Sequence, residues 1–352
     1  MTTTHLHVSD MRTFKTCRIK WDFQSSMRRG LAPKTTPRAL WKGTLVHLAL
    51  EKWYASAKKT LLSECWKLTW QEELSRLTEV DARTDPDDLR SLYTSCEGIL
   101  RQYNLWARQH DHEFEVVAVE QDFVVPLLPK RDIHFAGRFD LVVADSQGRV
   151  WIQDFKVMAG DFFGFASYLR DQDDQARAYS WAGRQLFGER FAGIIYTLIR
   201  SKAPTQPVIL KSSGKVSANK SVDTTWDVFM DALKRNGQTY SEEYAEVRQA
   251  CEERASRTPW THRLWLSFND YQLRMFELQA RNLAVEMTKP NVFLTPTNYL
   301  SCRGCSFATP CAALLNVGES AADALLDQYY IRSRYAQAAL DLVDETSSDL
   351  YT

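Results

Sequence analysis

The sequence predicts a mixed α/β fold in which a central sheet carries helices on both faces, with further helices inserted before and after it. Three observations support this prediction. Residues 43–110 have the helical period, residues 114–158 change to the alternation of strands, and a helix at 171–187 is followed by an apolar strand at 191–199. Helices and strands that alternate in this way along a chain are typical of a sheet covered by helices.

The first helical region begins with GTLVHLALEKWYASAKK, residues 43–59, and Gly-Thr provides its expected start. Helical spacing continues through residues 60–110, where apolar residues recur mostly three or four positions apart. These residues are Leu89, Leu92, Tyr93, Cys96, Leu100 and Tyr103. Such a spacing predicts an amphipathic helix with one buried face.

Three consecutive segments between residues 114 and 158 are predicted to be strands. Their sequences are FEVVAVEQDFVVPLL, HFAGRFDLVVA and VWIQDFKVM. They are rich in the β-branched and aromatic residues that strands favour. The turn ADSQGR (144–149) connects the last two, and its Asp, Ser and Gly suit a tight hairpin.

The remaining elements are predicted from the same two periods. FAGIIYTLI (191–199) is a short apolar strand, and the stretch after it is a loop or an irregular hairpin. Residues 223–256 have helical spacing, RLWLSF (263–268) alternates like a strand, and NDYQLRMFELQARNLAVEMTK is a long helix. The chain contains no internal repeat and no low-complexity linker.

Composition bounds the class of protein. The 352 residues are 44% apolar and 25% charged, which is enough for one large globular domain with insertions or for two domains. No run of about 18 apolar residues exists, so we expect no membrane span. The amino-terminal stretch MTTTHLHVSDMRTFK lacks the apolar core of a signal peptide. Seven cysteines without such a signal favour a reducing compartment, and we expect a cytoplasmic location.

Charge is balanced overall but unevenly distributed. The chain has 44 basic and 44 acidic residues, so its total charge predicts no nucleic-acid partner. However, residues 15–42 carry eight basic side chains and one acidic one, and residues 200–220 carry five basic ones and no acidic one. Trp21, Phe23 and Trp41 are interleaved with the first group. These segments are typical either of a phosphate-binding groove with stacking platforms or of two solvated loops.

The strand VWIQDFKVM (150–158) places a carboxylate and an ammonium on one face. Successive strand side chains point to opposite sides, so Asp154 and Lys156 share a face. If the hairpin turn centres near Gln147, Asp140 lies opposite Asp154. Like charges opposed across two strands repel each other, and their burial without a partner costs several kcal/mol.

Three arrangements tolerate such a pair of aspartates: protonation of one of them, a cation between them, or a solvated hairpin end. Lys156 supplies one positive charge, which does not neutralise two carboxylates. A hard divalent cation, Mg²⁺ or Mn²⁺, would do so with the oxygen ligands that it prefers. The pattern therefore favours a divalent-metal site, and the alternative is a surface aspartate with a lysine partner.

A second candidate site is the cysteine array in SCRGCSFATPC. Its thiols belong to Cys302, Cys305 and Cys311, and metal ligation is the usual role of such an array. A four-thiolate site needs one more ligand. The candidates are Cys17, Cys65, Cys96 and Cys251. Cys65 and Cys96 fall in helical patterns and are expected to be buried apolar residues, whereas Cys251, on a charged helix, remains a candidate ligand.

Four motifs occur in order along the chain: GTLVH (43–47), GRFD (137–140), DFK (154–156), and Gln175 followed by Tyr179. Together they resemble the G-x-x-x-H, G-x-x-D, D-x-K and Q-x-x-x-Y motifs of the RecB-type branch of the PD-(D/E)XK nuclease superfamily. A short D-x-K match alone occurs by chance, but four ordered motifs are specific. The resemblance covers about residues 40–200 and implies a restriction-endonuclease-like fold.

The resemblance also implies residue roles. The implied metal ligands are His47, Asp140, Asp154 and the Phe155 carbonyl. The implied catalytic residues are Asp140, Asp154, Lys156, Gln175 and Tyr179. Lys156 would hold or help deprotonate the attacking water, while Gln175 and Tyr179 would hold the scissile phosphate or the lysine. Glu51, one helical turn after His47, and Glu120, in the strand before GRFD, are weaker candidates.

In some RecB-type nucleases, the AddB subunit and CRISPR-associated adaptation nucleases among them, one amino-terminal cysteine and three carboxy-terminal ones hold a 4Fe-4S cluster. The cysteine spacing in this chain resembles that arrangement. It implies a cluster held by Cys17, Cys302, Cys305 and Cys311, with tetrathiolate zinc as the alternative because sequence does not separate the two.

The resemblance implies a metal-dependent DNA nuclease that uses Mg²⁺ or Mn²⁺. The expected activity is an exonuclease on single-stranded DNA or duplex ends in recombination or repair, in a prokaryotic or phage-infected cell. The alternatives are a CRISPR-adaptation-type nuclease and a non-catalytic DNA-binding iron–sulfur subunit. No Walker-type motif is present, so unwinding would require a helicase or recombination partner.

We expect five segments along the chain. They are an amino-terminal basic segment (1–42), a nuclease core with a helical insertion at about 60–110 (43–200), a loop and helical region (201–290), a cluster-binding segment (291–318) and an acidic tail (319–352). The tail has seven acidic and two basic residues. Its helical spacing at Leu325, Leu326 and Tyr329 predicts a helix that docks a partner or caps the domain.

Overall fold

The fold is described from a computed structural model of the chain. The structure describes residues 3–34, 38–80, 85–159, 162, 164, 166–168, 173–289, 292, 294–296 and 299–332. The expected start of one helix at 171–172 and the part of the acidic tail at 333–352 lie outside the described residues.

Strands and helices alternate along the chain. The described elements are β1 (Thr4–Leu6), α1 (Val8–Thr16), α2 (Arg18–Gln24), β2 (Leu31–Pro33), α3 (Arg38–Ala55), α4 (Leu62–Val80), α5 (Pro86–His110), β3 (Glu115–Leu128), β4 (Ile133–Ala144), β5 (Val150–Met158), α6 (Asp174–Phe187), β6 (Phe191–Arg200), α7 (Trp226–Arg235), α8 (Ala245–Arg257), β7 (Thr261–Leu266), α9 (Asp270–Met287), α10 (Tyr299–Cys302), α11 (Ala308–Asn316), α12 (Glu319–Tyr329) and β8 (Tyr330–Arg332).

The predicted start of the first long helix is wrong. Helix α3 begins at Arg38, so Gly43 and Thr44 lie inside it. The Thr44 hydroxyl donates to the Leu40 carbonyl at 3.1 Å, a bond that threonines make to the preceding helical turn. The Thr44 hydroxyl is therefore bonded inside the helix, and Gly-Thr does not mark its start.

The strands predicted between residues 114 and 158 are confirmed as β3, β4 and β5. The strand predicted at 191–199 is β6, and the strand predicted at 263–268 is β7, shifted by two residues. The stretch after β6 is an irregular hairpin with one bridge between Ile209 and Val216. The three-residue strands β1, β2 and β8 were not predicted, because so short a run has no measurable period.

In the described residues, six strands form one mixed sheet with the order β1-β4-β5-β6-β7, and β3 pairs with β4. Strands β4 and β5 form an antiparallel hairpin, β5 and β6 are parallel, and β7 is antiparallel to β6. The chain reaches β6 from β5 through α6, as a parallel pair requires. The predicted restriction-endonuclease-like class, a central mixed sheet flanked by helices, is confirmed.

The chain divides into two compact units. One comprises Arg38–Gln121 and Phe139–Ser267, and its main core lies between helices α3, α4 and α5 and one face of the sheet. Side chains that alternate along β4, β5 and β6 enter this core, among them Leu141, Phe155 and Ile195. The opposite face of β5 therefore carries Asp154, whose register partner on β6 is Tyr196.

A smaller apolar cluster in the same unit joins the irregular hairpin to α7 and α8. Its buried members are Val216, Phe229, Leu233, Tyr244, Val247 and Cys251. Lys215 and Lys220 of the basic stretch at 200–220 form ion pairs with Glu243 and Glu246. The positive charges of these two lysines are therefore neutralised by acidic residues that follow the basic stretch in the sequence.

The other unit comprises Met1–Pro37, Asp122–Arg138 and Phe268–Thr352. An apolar cluster in it gathers Ile19 and Phe23 of α2 with Phe307 and Leu326 near the carboxy-terminal helices. Distant parts of the sequence thus share one core within this unit.

The structure contradicts the interpretation of the amino-terminal basic segment as stacking platforms or solvated loops. Residues 8–24 are mostly helical, and Trp21 and Phe23 are 0% exposed, so neither ring offers a surface to a nucleobase. Arg28 and Arg29 both form ion pairs with Asp22, at 2.7 and 3.1 Å. Trp21 and Phe23 are core residues of helix α2, and Trp41, on α3, is partly buried against the main core.

In the described part of the chain, no helix combines the length and the apolar character that crossing a membrane demands.

Candidate active site

The β4–β5 hairpin brings two aspartates to neighbouring positions. Leu141 pairs with Gln153, which confirms the predicted register, and Asp140 and Asp154 are the next positions along it. Burial raises the pKa of Asp154 to about 6, Lys156 opposes this increase, and the charge of Asp140 adds to it. The two carboxyl groups are therefore close enough to repel each other.

Asp154 is 2% exposed and is held from two sides. Its Oδ1 atom accepts a hydrogen bond of 2.8 Å from Gln175 Nε2. Its Oδ2 atom is buried and forms an ion pair with Lys156 Nζ at 2.6 Å, without a hydrogen bond of regular geometry. One buried carboxylate oxygen thus retains coordinating capacity for a cation.

Asp140 and His47 meet beside the backbone of Phe155. The Phe155 amide donates to Asp140 Oδ2 at 3.0 Å, and His47 Nδ1 lies 3.4 Å from the same oxygen. Burial raises the pKa of Asp140 and lowers the pKa of His47. A neutral imidazole is the form of histidine that binds metals.

Lys156 is linked to helix α6 through Gln175. The lysine ammonium donates to Gln175 Oε1 at 2.8 Å, and the amide nitrogen of the same glutamine donates to Asp154. Gln175 therefore bridges the acid and the lysine of the D-x-K motif. Of the two partners predicted for Gln175, the phosphate and the lysine, the structure brings the lysine within hydrogen-bonding distance.

Tyr179 lies one helical turn after Gln175 and is 7% exposed. Its ring packs edge-on against Phe139, with 5.2 Å between the ring centroids. Burial raises the pKa of Tyr179, the charges of Asp154 and Asp140 add to the increase, and a hydrogen bond with Gln175 opposes it. The two residues of the Q-x-x-x-Y motif thus reach the paired aspartates from one face of α6.

Two residues at the site were not predicted. Asp173 caps the start of α6, accepting from the backbone amides of Gln175 and Ala176 at 3.3 Å each. The Tyr196 hydroxyl on β6 donates to Asp173 Oδ2. Both residues could have been recognised in the sequence. Asp173 directly precedes a helix, where aspartate is a common cap, and Tyr196 is a residue with a polar hydroxyl in an otherwise apolar strand.

The weaker candidates are also near the site. The charge of Glu51 contributes to the raised pKa of Asp140, after the larger effect of burial. Glu120 lies on β3 with a φ of 46°, an unusual conformation for a residue with a side chain, and its charge adds to the raised pKa of Tyr179. Gly43 has no atom within 4 Å of the position that a Cβ would occupy, so the motif glycine leaves open space on α3.

The side chains and the backbone carbonyl at the site are of the chemical types that bind a divalent cation. In the described residues, no three His, Cys, Asp or Glu side chains are positioned as a ready metal site. The two aspartates share one lysine between them, and the buried Oδ2 of Asp154 lacks a regular hydrogen bond. Two carboxylates and a backbone carbonyl are oxygen donors that Mg²⁺ and Mn²⁺ prefer, and the imidazole suits Mn²⁺.

Cys17, Cys305 and Cys311 border the same apolar cluster of the amino- and carboxy-terminal segments. Burial raises the pKa of Cys311, and the neighbouring thiols of Cys17, Cys302 and Cys305 add to the increase. The backbone amides of Lys20 and Phe307 donate to the sulfurs of Cys17 and Cys305, at 3.4 Å each.

The other cysteines have separate surroundings. Cys65 and Cys96 are buried in the helical core, as predicted for small apolar residues. Cys251, which the sequence left open as a ligand, is buried in the cluster of α7 and α8 with Phe229 and Tyr244. Neither cluster includes a thiol of the C-x2-C-x5-C array.

Paired carboxylates with an adjacent lysine are suited to metal-assisted hydrolysis of a phosphodiester, in which negative charge develops on phosphate oxygens. Comparison with curated proteins gives no match. A family model described as the PD-(D/E)XK nuclease superfamily matches residues 5–312, nearly the whole chain. The chain belongs to the PD-(D/E)XK nuclease superfamily.

Proposed function

We propose that this member of the superfamily is a DNA exonuclease that hydrolyses single strands or duplex ends in recombination or repair. Superfamily membership points to a metal-dependent nuclease, and Mg²⁺ or Mn²⁺ is its typical metal. The finer assignment follows the four ordered motifs of the RecB-type branch. A helicase or recombination protein would supply the unwinding that this chain has no motif for.

The observation that carries the proposal is the shortage of positive charge around Asp140 and Asp154. Asp154 is 2% exposed, and Lys156 is the cation in contact with it. Burying two carboxylates beside one ammonium lowers the stability of the folded protein. Such unfavourable arrangements are kept mainly at functional sites. A divalent cation relieves this cost and is also what phosphodiester hydrolysis requires.

Each residue has a role in the proposed reaction. Asp140, Asp154, the Phe155 carbonyl and His47 would hold the cation. Bound there, the cation would stabilise charge on the phosphate and lower the pKa of water. Lys156 orients the attacking water and offsets the charge of the phosphate, and Gln175 holds the lysine in place. Water attacks phosphorus, the bond to one ester oxygen breaks, and that oxygen leaves with a proton.

The test is an assay of labelled single-stranded and duplex DNA with Mn²⁺ or Mg²⁺. We expect Lys156→Ala and Asp154→Ala to lose about a hundredfold or more of the cutting rate, because both groups act on the charge of the transition state. Lys215→Ala is the matched control, since Lys215 forms a surface ion pair with Glu243. Full cutting by the Lys156→Ala variant would refute the assigned site. DNA binding by the wild-type protein without any cutting would favour the non-catalytic alternative.

We also propose a 4Fe-4S cluster held by Cys17, Cys302, Cys305 and Cys311. The support is the effect of the Cys17, Cys302 and Cys305 thiols on the pKa of Cys311 and the two backbone amides that donate to sulfur. In the described residues these thiols are not positioned as a ready metal site, so the cluster itself would draw them together. Hydrogen bonds to thiolate sulfur are usual around such clusters and adjust their reduction potentials. Held there, a cluster would brace the amino-terminal helices against the carboxy-terminal segment of the same unit.

The cluster is tested by anaerobic purification, a visible absorption spectrum and the iron and zinc content. We expect a brown protein with about four iron atoms per chain. A colourless protein with one zinc per chain would refute the cluster and leave the nuclease proposal intact, because the two sites use different residues.

A further inference from the structure

We propose that Tyr196 and Asp173 are positioning residues of the active site, which together hold Gln175 and, through it, Lys156. This inference rests on the proposed nuclease function. Neither residue belongs to the four motifs that identify the superfamily in this sequence.

Tyr196 lies directly beside the D-x-K motif. It is the register partner of Asp154 on the parallel strand β6, and it is 0% exposed. Its hydroxyl donates to Asp173 Oδ2, so the strand that neighbours the catalytic strand is tied to the start of α6. The Lys156 ammonium lies 5.2 Å from the centroid of the Tyr196 ring, a distance at which a cation is attracted by the ring.

Asp173 fixes the first turn of α6. Both of its carboxylate oxygens accept backbone amides, Oδ1 from Gln175 and Oδ2 from Ala176. The Tyr196 hydroxyl donates to Oδ2 as well. The cap is 3% exposed, and a capping aspartate normally gains its free energy from the helix amides alone. The added bond from β6 determines where the helix starts relative to the sheet.

Gln175 transmits this placement to the reacting groups. It is the second residue of α6, so its backbone amide is one of those that Asp173 holds. Its side chain accepts from Lys156 and donates to Asp154, each at 2.8 Å. A shift of the first turn of α6 would lengthen both bonds and let the ammonium turn away from the phosphate.

The expected effect is on the rate of the chemical step. Displacement of a catalytic group by about 1 Å can cost up to a hundredfold in rate, whereas substrate binding depends on a much larger surface. Loss of the Tyr196 hydroxyl should therefore lower kcat and leave the KM for DNA nearly unchanged.

The first test is Tyr196→Phe, which keeps the ring beside Lys156 and removes the hydroxyl. We expect kcat to fall roughly tenfold, with KM for DNA changed less than about twofold. The matched control is Tyr244→Phe, which also loses a buried hydroxyl bond, to the Val216 carbonyl, in the cluster of α7 and α8. The control should lose comparable stability and keep its kcat. An unchanged kcat in folded Tyr196→Phe would overturn the proposal.

A second pair of variants separates capping from positioning. Asp173→Ser retains a good helix cap but does not reach Tyr196, and Asp173→Asn retains the cap and the reach. We expect Asp173→Asn to recover most of the kcat that Asp173→Ser loses. The double variant Tyr196→Phe with Asp173→Ser should be no slower than the slower single variant, because both remove one link. Additive losses would overturn the proposal.

A third measurement does not depend on nuclease activity. The rate at which an acylating reagent labels the Lys156 amine in the metal-free protein reports how firmly that amine is held. We expect Tyr196→Phe to raise this rate severalfold and Tyr244→Phe to leave it unchanged. If the wild-type protein cuts no DNA but the labelling rate responds, the proposed function fails and the positioning stands. An unresponsive labelling rate overturns the positioning.

Discussion

At the scale of single residues, the carboxyl of Asp154 is subject to opposing effects. Burial raises its pKa to about 6, and the adjacent charge of Lys156 acts in the opposite direction. Because the folded-state pKa lies above that of an unfolded aspartate, the folded protein binds the proton more tightly. Ionisation of Asp154 therefore costs stability as the pH rises from about 4 through 6.

We predict that Asp154→Asn reverses this cost in chelator-treated protein. The variant should be more stable than the wild type at pH 7, on the order of 1–3 kcal/mol, and nearly equal to it at pH 4, where Asp154 is protonated in the folded state and about half protonated in the unfolded state. Denaturant unfolding at both pH values measures the difference. Asp122→Asn, which alters an exposed ion pair with Arg138, serves as the control. If the Asp154→Asn variant were less stable than the wild type at pH 7, the charge of Lys156 alone would be enough to compensate the two carboxylates, and the prediction would be wrong.

At the scale of elements, the turn of the β4–β5 hairpin sets the register on which the site depends. Asp145 accepts from the amides of Gln147 and Arg149 at 3.0 Å each, from Arg149 Nε at 2.8 Å and from Trp151 Nε1 at 3.0 Å. Gly148 has a φ of 74°, which suits glycine. Because a slip of one residue would move Asp154 to the other face of the sheet, this turn protects the pairing of the acids.

We predict that Asp145→Ala destabilises the protein by about 1–2 kcal/mol at neutral pH, since several hydrogen bonds lose their acceptor. Partial burial works to raise the pKa of Asp145, but the bonds from Trp151 and Arg149 outweigh it and lower the pKa to about 2. The stabilisation is therefore complete above the unfolded pKa and is lost as the pH falls through the folded value. Ser146→Ala in the same turn should have little effect. Equal unfolding midpoints for the two variants would contradict the assignment.

The sequence predicted the hairpin well at this scale and the helix boundaries less well. Strand alternation and the Asp-Ser-Gly turn determine β4, β5 and their register locally. The start of α3 was misplaced because Gly43 resembles a helix boundary. The amphipathic period of α2 was missed because basic residues surround Trp21 and Phe23, and burial of those rings depends on partners far along the chain.

At the scale of the whole molecule, one compact unit is assembled from three separate parts of the sequence, and it contains all four cysteines of the proposed cluster. A cluster that joins Cys17 to the carboxy-terminal thiols would close a long chain loop. Such a cross-link lowers the entropy of the unfolded chain and so stabilises this unit.

We predict that Cys17→Ser removes the visible absorption of the purified protein and lowers its thermal midpoint. Cys251→Ser is the matched control, because Cys251 is buried in the cluster of α7 and α8 and was the other open candidate for the fourth ligand. The control should keep the colour and the iron content. Loss of iron from the Cys251→Ser variant, with iron retained by Cys17→Ser, would assign the fourth ligand the other way.

Local sequence by itself determined the fold class, the β4–β5 register and the order of the motifs, because alternation, turn residues and motif spacing act over short distances. Only the tertiary structure decided that Gln175 bridges Lys156 and Asp154, that Tyr196 holds the cap of α6, and that Trp21 and Phe23 are buried. Those contacts join strands and helices through side-chain packing, and packing between distant segments leaves no period in the sequence.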